Sequence, residues 1–232
     1  MSQSCFPGGQ PTMRTFQIVP VAAVLAVTAG IRTVDADQAA VQPAASIRIV
    51  ALGDSLTSGH RLPRAQAYPA VLEAALKDEG VPAVVVNHGV SGDTTAGGVR
   101  RLTTALADRP DVLIVALGVN DGLRGVSVAQ VHKNLETIIE TARARGVTVL
   151  LCAMEALPLH GWQYTVDFHN MYTALAAKHN VSLVPFILMG VLGNPDLMSS
   201  DGLHPNAAGA RVMASTVLTY VRPLVTPGAA TR

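Results

Sequence analysis

The strongest constraint on the fold is a repeated alternation between short apolar runs and longer segments with helical spacing. The apolar runs are rich in Val, Ile and Leu and lack polar alternation, so we interpret them as strands covered on both faces. They lie at Ile47–Leu52, Ala83–Val86, Val112–Leu117, Val147–Ala153 and Val181–Val184. Such strands, each followed by a helix, predict a single α/β domain in which helices cover both faces of a five-stranded parallel sheet.

The predicted helices carry apolar residues at positions three and four apart, which is the spacing of one helix face. Gly80 and Gly146 follow two of these segments and favour helix termination there. The last helix is expected to begin at Pro205, because a proline at the first helical position loses no hydrogen bond. The segments are Tyr68–Glu79, Val99–Ala107, Val128–Arg145, Tyr164–His179 and Pro205–Tyr220.

Composition narrows the class of partner. Hydrophobic residues make up 49% of the 232 residues and charged residues 14%, which favours a globular body over disorder. The formal net charge of +1 provides no strong field for nucleic acid or acidic surfaces. We therefore expect a small-molecule substrate and no nucleic-acid partner.

The N-terminal segment has the order of features of a secretory signal. Arg14 precedes an uncharged stretch at 15–31, and small residues follow it. The sequence predicts an export leader at 1–37 and a periplasmic or secreted protein, with no stable membrane insertion after the leader is removed. An uncleaved N-terminal anchor is the alternative, although the apolar part is short for a membrane span. Translation from Met13 instead of Met1 also fits the pattern.

The remaining boundaries follow from composition and pattern. Residues 38–46 are rich in Ala, Gln and Pro and are interpreted as a linker. A single catalytic domain is predicted at 47–222, followed by a flexible tail at 223–232. Loss of the leader would remove Cys5 and leave Cys152 without a disulfide partner. Because Cys152 lies in a predicted strand, we interpret it as a core residue.

Polar, turn-forming residues follow the strands at four places along the chain. Because ligands bind at the carboxyl ends of the strands in a parallel sheet, these loops are expected to meet at one rim. The loops are Gly53–Thr57, Asn87–Thr94, Gly118–Asp121 and Asp201–Pro205.

Three of the side chains in these loops fit nucleophilic catalysis. Ser55 follows the first strand, and a serine hydroxyl needs a base to accept its proton. His204 is the candidate base, and Asp201, three residues earlier in a turn, can fix the tautomer of its imidazole. Donors for the oxyanion of an acyl-transfer intermediate are the backbone N–H groups of Ser55 and Gly92 and the side-chain amide of Asn120.

Each loop taken singly also fits a structural role. The turn after the first strand can be a helix N-terminus capped by Asp54. Gly118–Asp121 fits an ordinary turn, and Asp201–Pro205 fits a helix start. Four such loops at successive strand ends favour an active site over unrelated turns.

The same loops resemble the four sequence blocks of the SGNH (GDSL) hydrolases, and the resemblance covers Ile47 to Val221. The phrases Val90–Thr95 and Asn120–Gly125 are similar to the bacterial periplasmic thioesterase, arylesterase and lysophospholipase branch. The resemblance implies a flavodoxin-like three-layer α/β/α sandwich without a cofactor. It also implies that Ser55 is the nucleophile and Asp201 and His204 its partners, with Gly92 and Asn120 as oxyanion donors beside the Ser55 N–H.

The chain departs from that branch beside the expected substrate pocket. Val119 stands where many relatives have a second glycine, and the segment Met154–Tyr164 replaces a Pro-Pro-Asn-like loop. The substrate-binding residues expected from these positions are Val119, Glu155, Leu157 and His160. The other candidate for the cleft is His60. No two His or Cys residues form a short ligand pair, so no metal is predicted.

Three functions remain open from the sequence. The first is a serine hydrolase acting on carboxylic esters, and on thioesters in addition, of short to medium acyl chains. The second is a carbohydrate O-acetyl esterase, which the low aromatic content of 4% disfavours because sugars stack on aromatic side chains. The third is a catalytically inactive binding module on the same fold, against which the intact set of catalytic residues argues.

Overall fold

Five parallel strands form one sheet in residues 46–226, the part of the chain that the computed structural model describes. The strand order is β2-β1-β3-β4-β5, which is the flavodoxin-like order. All four neighbouring pairs are parallel, so the predicted sheet is confirmed. The strands are β1 (Ile47–Gly53), β2 (Ala83–Gly89), β3 (Val112–Ala116), β4 (Thr148–Cys152) and β5 (Ser182–Val184).

Helices cover both faces of this sheet, as predicted. In one layer α2 packs against α7, and in the other α3 packs against α5 and α5 against α6. The helices are α1 (Ser55–Ser58), α2 (Tyr68–Asp78), α3 (Thr95–Ala107), α4 (Val119–Arg124), α5 (Val128–Arg143), α6 (Trp162–His179) and α7 (Ala207–Val225). Short 3₁₀ turns at Arg64–Gln66 and Pro158–His160 complete the described elements.

Burial explains why the strand sequences lack polar alternation. Ile49 to Leu52 in β1 have no exposed surface, and every residue of β3 is buried. Each fully buried Ile, Leu or Val side chain contributes about 1.5–3 kcal/mol through removal of apolar surface from water. The central strands therefore carry much of the core and hold their carboxyl ends in fixed positions.

Two elements extend further than their sequence pattern predicts. β2 continues through the polar residues Asn87 and His88 to Gly89, in register with Gly53 of β1. α3 begins at Thr95 instead of Val99, with the Thr94 hydroxyl accepting a hydrogen bond from the Gly97 N–H. Gly98 lies within the helix, and a Cβ there would collide with a methyl carbon of Leu117, so glycine allows α3 to lie this close to the sheet. The earlier start of α3 thus depends on close packing of the helix against the sheet, which cannot be predicted from local helix propensity.

Two predictions about local structure are wrong. Gly118–Asp121 is not a simple turn, because α4 begins at Val119 directly after β3. The last helix begins at Ala207 instead of Pro205, since the Asn206 side chain accepts hydrogen bonds from two backbone N–H groups of the first turn. Pro205 instead forms an antiparallel bridge with Met198.

The described residues bear on several of the predicted boundaries. α7 continues to Val225, three residues beyond the predicted domain end at 222. The predicted leader at 1–37, and all but Ser46 of the linker at 38–46, lie outside the described residues. Between residues 46 and 226, no helix combines the length and apolar character that crossing a bilayer requires. Cys152 is buried in β4, and burial raises the pKa of its thiol well above the usual range.

Candidate active site

The strand order predicts a ligand site at the carboxyl ends of β1 and β3. The chain leaves these neighbouring strands in opposite directions along the sheet, towards β2 and β4 respectively. Such a switch point opens a crevice in which ligands bind. Ser55 follows β1 and Asn120 follows β3, so the fold brings these two predicted residues to the same crevice.

Ser55 is the first residue of the short helix α1, immediately after the turn that ends β1. Asp54 caps this helix, as its Oδ1 accepts a hydrogen bond of 2.9 Å from the Leu56 N–H. The N–H groups of a first helical turn have no partner within the helix, so the Ser55 N–H is available to an incoming group. The residue is 8% exposed, and its side chain lines a cavity open to solvent.

His204 connects Ser55 to Asp201 through its two ring nitrogens. The His204 Nε2 lies 3.0 Å from the Ser55 Oγ, and the Nδ1 lies 2.8 Å from Asp201 Oδ2. This arrangement leaves the Nε2 lone pair facing the serine hydroxyl when Nδ1 carries the ring proton. The three predicted residues therefore come together although Ser55 and His204 are far apart in the sequence.

The Asp201 carboxylate is held ionised by the turn that contains it. Its Oδ1 accepts hydrogen bonds from the backbone N–H groups of His204 at 3.0 Å and Leu203 at 2.9 Å. These bonds, together with the His204 side chain, hold the pKa of Asp201 well below its usual range. A constant negative charge therefore faces the Nδ1 of His204.

The backbone around His204 is braced from outside the triad. The Ser199 N–H donates to the His204 carbonyl oxygen at 2.7 Å, and the bridge from Met198 to Pro205 lies just beyond it. Asn206 caps α7 and donates from its side chain to the Met198 carbonyl oxygen at 3.2 Å. These contacts fix the loop, so the imidazole position does not depend on the Asp201 contact alone.

Gly92 and Asn120 line the same cavity as Ser55 and His204. Gly92 has a φ of +77°, a left-handed conformation that favours glycine. Glycine at this position therefore allows the left-handed backbone as well as close approach of a substrate. The Asn120 amide nitrogen lies 3.0 Å from the Asp93 carbonyl oxygen and 3.4 Å from Asp54 Oδ2.

Arginine side chains hold the loop that carries Gly92. Arg101 donates from Nε to Asp93 Oδ2 at 2.8 Å and from its terminal nitrogens to the carbonyl oxygens of His88 and Gly53. Arg124 donates to the Gly92 carbonyl oxygen at 2.9 Å. The guanidinium of Arg101 thus ties the ends of β1 and β2 to the loop. No local motif marks Arg101, and sequence reasoning missed it.

Asp121 joins the two helices that flank the crevice. Its carboxylate accepts hydrogen bonds from the Thr95 N–H at 2.8 Å and from the Thr95 hydroxyl at 2.7 Å. The Asn134 amide donates to the same hydroxyl at 2.9 Å. This buried network fixes α4 against the start of α3 and so places Asn120. In the sequence, this role of Asp121 is indicated only by its position directly after Asn120.

Asp54 is fully buried beneath the site, and its burial has an electrostatic cost. Loss of solvation raises its pKa from 3.8 to about 7, and the nearby charges of Asp93 and Asp121 act in the same direction. The hydrogen bond from Leu56 opposes the shift. The folded state therefore binds a proton here more tightly than the unfolded chain does.

Replacing Asp54 with asparagine is expected to make the protein more stable than the wild type at alkaline pH and not in acid. Because the folded pKa is raised, the wild type loses stability as the pH rises from about 4 through 7, whereas Asp54→Asn has no such charge to bury. The gain in the free energy of unfolding at pH 8 should be on the order of a few kcal/mol. Urea unfolding of both proteins at pH 4, 6 and 8 measures it, and a pH-independent difference would contradict the argument.

The cavity beside Ser55 has a volume of about 320 Å³ and is lined mainly by apolar side chains. Three of the predicted substrate-binding residues contribute to this lining: Val119, Glu155 and Leu157. His160 does not. Its Nε2 instead lies 3.3 Å from the Leu123 carbonyl oxygen in α4.

His60 does line the cavity, and its ring stacks on that of His204 with a centroid distance of 4.2 Å. Sequence reasoning named His60 as a cleft residue but gave no sign of its contact with His204. The remaining lining includes Met154, Ala156, Phe186 and Leu188 from the ends of β4 and β5.

Comparison with known proteins agrees with this geometry. A model of the GDSL-like Lipase/Acylhydrolase family matches residues 51–212. Esterase TesA of Pseudomonas aeruginosa is 40% identical over 185 residues, which cover 79% of this chain and 92% of that protein. Thioesterase 1/protease 1/lysophospholipase L1 of Escherichia coli K12 is 34% identical over 183 residues, covering 78% of this chain and 86% of that protein.

A solved structure of a related esterase has the same fold. The crystal structure of TesA has a TM-score of 0.73 at 39% sequence identity, covering 76% of this chain and 99% of that chain. The family resemblance predicted from the four motifs is thus confirmed, and the chain belongs to the GDSL-like lipase/acylhydrolase family.

Proposed function

We propose that this protein is a serine esterase that hydrolyses carboxylic esters of short to medium acyl chains through an acyl-enzyme on Ser55. One observation carries the proposal. The hydrogen-bonded series Ser55 Oγ, His204 and Asp201, with separations of 3.0 and 2.8 Å, opens into a largely apolar cavity. A nucleophile, its base and a space for an acyl chain therefore lie together.

The geometry supports a two-step acyl transfer. The Ser55 Oγ attacks the ester carbonyl carbon while His204 Nε2 accepts the hydroxyl proton, and the Asp201 carboxylate stabilises the resulting imidazolium. The carbon–oxygen bond to the leaving group then breaks, and His204 returns the proton to the departing alcohol. Water, activated by the same imidazole, hydrolyses the acyl-enzyme and restores Ser55.

The negative oxygen of each tetrahedral intermediate needs donors that are already in place. We assign this role to the N–H groups of Ser55 and Gly92 and to the Asn120 amide. The Asn120 contact with Asp54 Oδ2 is long, at 3.4 Å, whereas its contact with the Asp93 carbonyl is 3.0 Å. Exchange of the longer contact for the oxyanion lets Asn120 donate while the shorter contact still positions it.

We extend the proposal to thioesters and lysophospholipids. The Escherichia coli relative carries both activities in its name, thioesterase 1/protease 1/lysophospholipase L1. The acyl-enzyme step is the same whether an alcohol or a thiol leaves. The residues that contact the leaving group decide the preference, and the chain departs from the related branch in this part of the site, at Val119 and in the segment at 154–164.

The cavity predicts how activity depends on acyl chain length. Each methylene buried against the apolar wall contributes about 0.8 kcal/mol, which corresponds to about a fourfold rise in kcat/KM. We expect kcat/KM to rise from p-nitrophenyl acetate to the butyrate and then level off as the cavity fills. Leu188, a buried residue of the cavity wall, provides the test, because Leu188→Phe should move the optimum to shorter chains.

Leu159→Phe is the matched control for this experiment, because Leu159 is 63% exposed and lies outside the cavity lining. It should leave the chain-length profile unchanged. Faster acetate release from acetylated xylan than from aryl esters would instead favour a carbohydrate O-acetyl esterase. Absence of turnover for every ester and thioester would contradict the proposed activity and favour an inactive binding module.

We also propose that the protein acts outside the cytoplasm, in the periplasm or as a secreted enzyme. The support is the order of features before residue 38: a positive residue, an uncharged apolar stretch and small residues. After the leader is removed, the catalytic domain would act on its ester substrate without a membrane-inserted segment.

A further inference from the structure

A second imidazole lies directly against the candidate base. His60 follows the turn after α1, and its backbone N–H donates to the Ser55 carbonyl oxygen at 3.1 Å. Its ring stacks on His204 with an angle of 32° between the ring planes. The mechanism described above gives His60 no role, although it borders the reacting atoms.

His60, His204 and Asp201 together offer a set of metal ligands. One donor atom from each lies within 4.8 Å of the other two. Two imidazoles and one carboxylate are a common set for Zn²⁺, which binds nitrogen and oxygen ligands at about 2.0–2.2 Å. In a tetrahedral site the ligand atoms are about 3.4 Å apart, and an imidazole binds a metal in its own ring plane, so the His60 ring must turn out of its contact with the face of His204 to bring a nitrogen to the ion. The adjoining cavity leaves a fourth position for water.

We propose that Zn²⁺ binds to His60, Asp201 and His204 and thereby reversibly inhibits the enzyme. Inhibition rests on the proposed function, whereas binding of the ion does not. Because Asp201 lies at Nδ1 and Ser55 at Nε2, an ion shared with Asp201 binds His204 through Nδ1. A metal on Nδ1 moves the ring proton to Nε2, so Nε2 has no lone pair to accept the Ser55 proton. His204 then no longer acts as a base.

A second cluster with similar spacing is a weaker candidate. Glu136, Glu140 and His179 also bring donor atoms within 4.8 Å of one another, at the contact between α5 and α6. Glu136 Oε1, however, already accepts hydrogen bonds from Lys178 at 2.7 Å and His179 at 2.9 Å. The Lys178 ammonium repels a cation and satisfies the carboxylate. This cluster therefore supplies a control for the proposed site.

The experiment measures zinc binding and inhibition separately. Zinc chloride is titrated into the protein in competition with a chromophoric chelator, and initial rates with p-nitrophenyl butyrate are recorded at the same free Zn²⁺ concentrations. His60→Phe keeps an aromatic ring next to His204 but removes both donor nitrogens, and His60→Gln provides a second variant without an imidazole. His179→Phe is the matched control.

We expect one Zn²⁺ to bind the wild type and inhibit it, with activity restored by a chelator. Both His60 variants should bind Zn²⁺ at least about tenfold more weakly, since even outer-shell partners change metal affinity by that factor. The inhibition constant, taken relative to each variant's own zinc-free rate, should shift by the same factor. His179→Phe should behave as the wild type.

Two results would overturn the proposal. One is equal zinc affinity in the wild type and both His60 variants, and the other is loss of binding in His179→Phe alone. If no ester is turned over, the chelator competition still decides whether the ion binds at His60. Failure of the proposed function and failure of the metal site are therefore distinguishable.

Discussion

Ser55→Ala is expected to lower kcat for p-nitrophenyl butyrate by on the order of 10⁴-fold or more. The substitution removes the atom placed to form the acyl-enzyme, since the Ser55 Oγ lies 3.0 Å from His204 Nε2. Substrate binding should survive, because the cavity lining loses a single oxygen atom. The loss should therefore appear in kcat, measured together with KM on purified protein.

Ser58→Ala is the matched control for this substitution. Ser58 ends the same helix, and its hydroxyl lies 3.2 Å from the Ser91 hydroxyl, while Ser58 is not among the residues that line the cavity. It should retain kcat within severalfold of the wild type, and both variants should keep the wild-type Tm. Activity of Ser55→Ala comparable to that of Ser58→Ala would exclude Ser55 as the nucleophile.

Asp201→Asn is expected to reduce kcat by about 10⁴-fold with little change in fold. The asparagine amide can donate to His204 Nδ1, which places the ring proton on Nε2 and removes the base facing Ser55. The backbone donors of Leu203 and His204 can still bond to the asparagine oxygen, so the turn should persist. The measurement is the pH dependence of kcat for both proteins.

The pH profile separates the roles of Asp201 and His204. Hydrogen bonds hold the pKa of Asp201 well below its usual range, so this carboxylate stays ionised wherever the enzyme works. Because His204 must be neutral to act as base, wild-type activity should fall in acid. Asp54, whose pKa is raised to about 7 and which contacts Asn120, also changes charge on the way to acid, so the same profile is recorded for Asp54→Asn, in which only the His204 contribution remains. Asp196→Asn, an exposed aspartate earlier in the same loop region, is the control and should keep the wild-type profile.

An Asp201→Asn variant with wild-type kcat would show that the imidazole is oriented by the surrounding loop alone. Wild-type activity unchanged down to pH 4 would contradict the role of His204 as a base. The two outcomes address different residues, so they distinguish an error about the carboxylate from an error about the histidine.

The fold was predictable because its central strands are buried on both faces. Uninterrupted apolar runs such as Ile49–Leu52 predict buried strands from the local sequence alone, without knowledge of tertiary contacts. The short helix α4 was not predictable, since its start depends on the Asp121 contacts with Thr95 in another helix. The start of α7 was displaced for a similar reason, because Asn206 and not Pro205 satisfies its first N–H groups.

The candidate site was partly predictable from the sequence. Short motifs indicated that Ser55 and His204 lie at strand or helix ends, and ligands bind at the carboxyl ends of parallel strands. The contacts of His60 and Arg101 could not be predicted, because each joins segments that are distant in sequence and neither lies in a motif. His160 was expected in the cavity because it belongs to the loop at 154–164, but the 3₁₀ turn directs it to Leu123.

The most direct test of the central claim is covalent labelling of the wild type with a fluorophosphonate, followed by mass spectrometry of its peptides. A fluorophosphonate reacts with an activated serine and not with an ordinary one, so it reports the nucleophile without assuming a substrate. The account predicts a single adduct, on Ser55, formed in step with the loss of esterase activity. An adduct on another serine, or loss of activity without an adduct on Ser55, would contradict it.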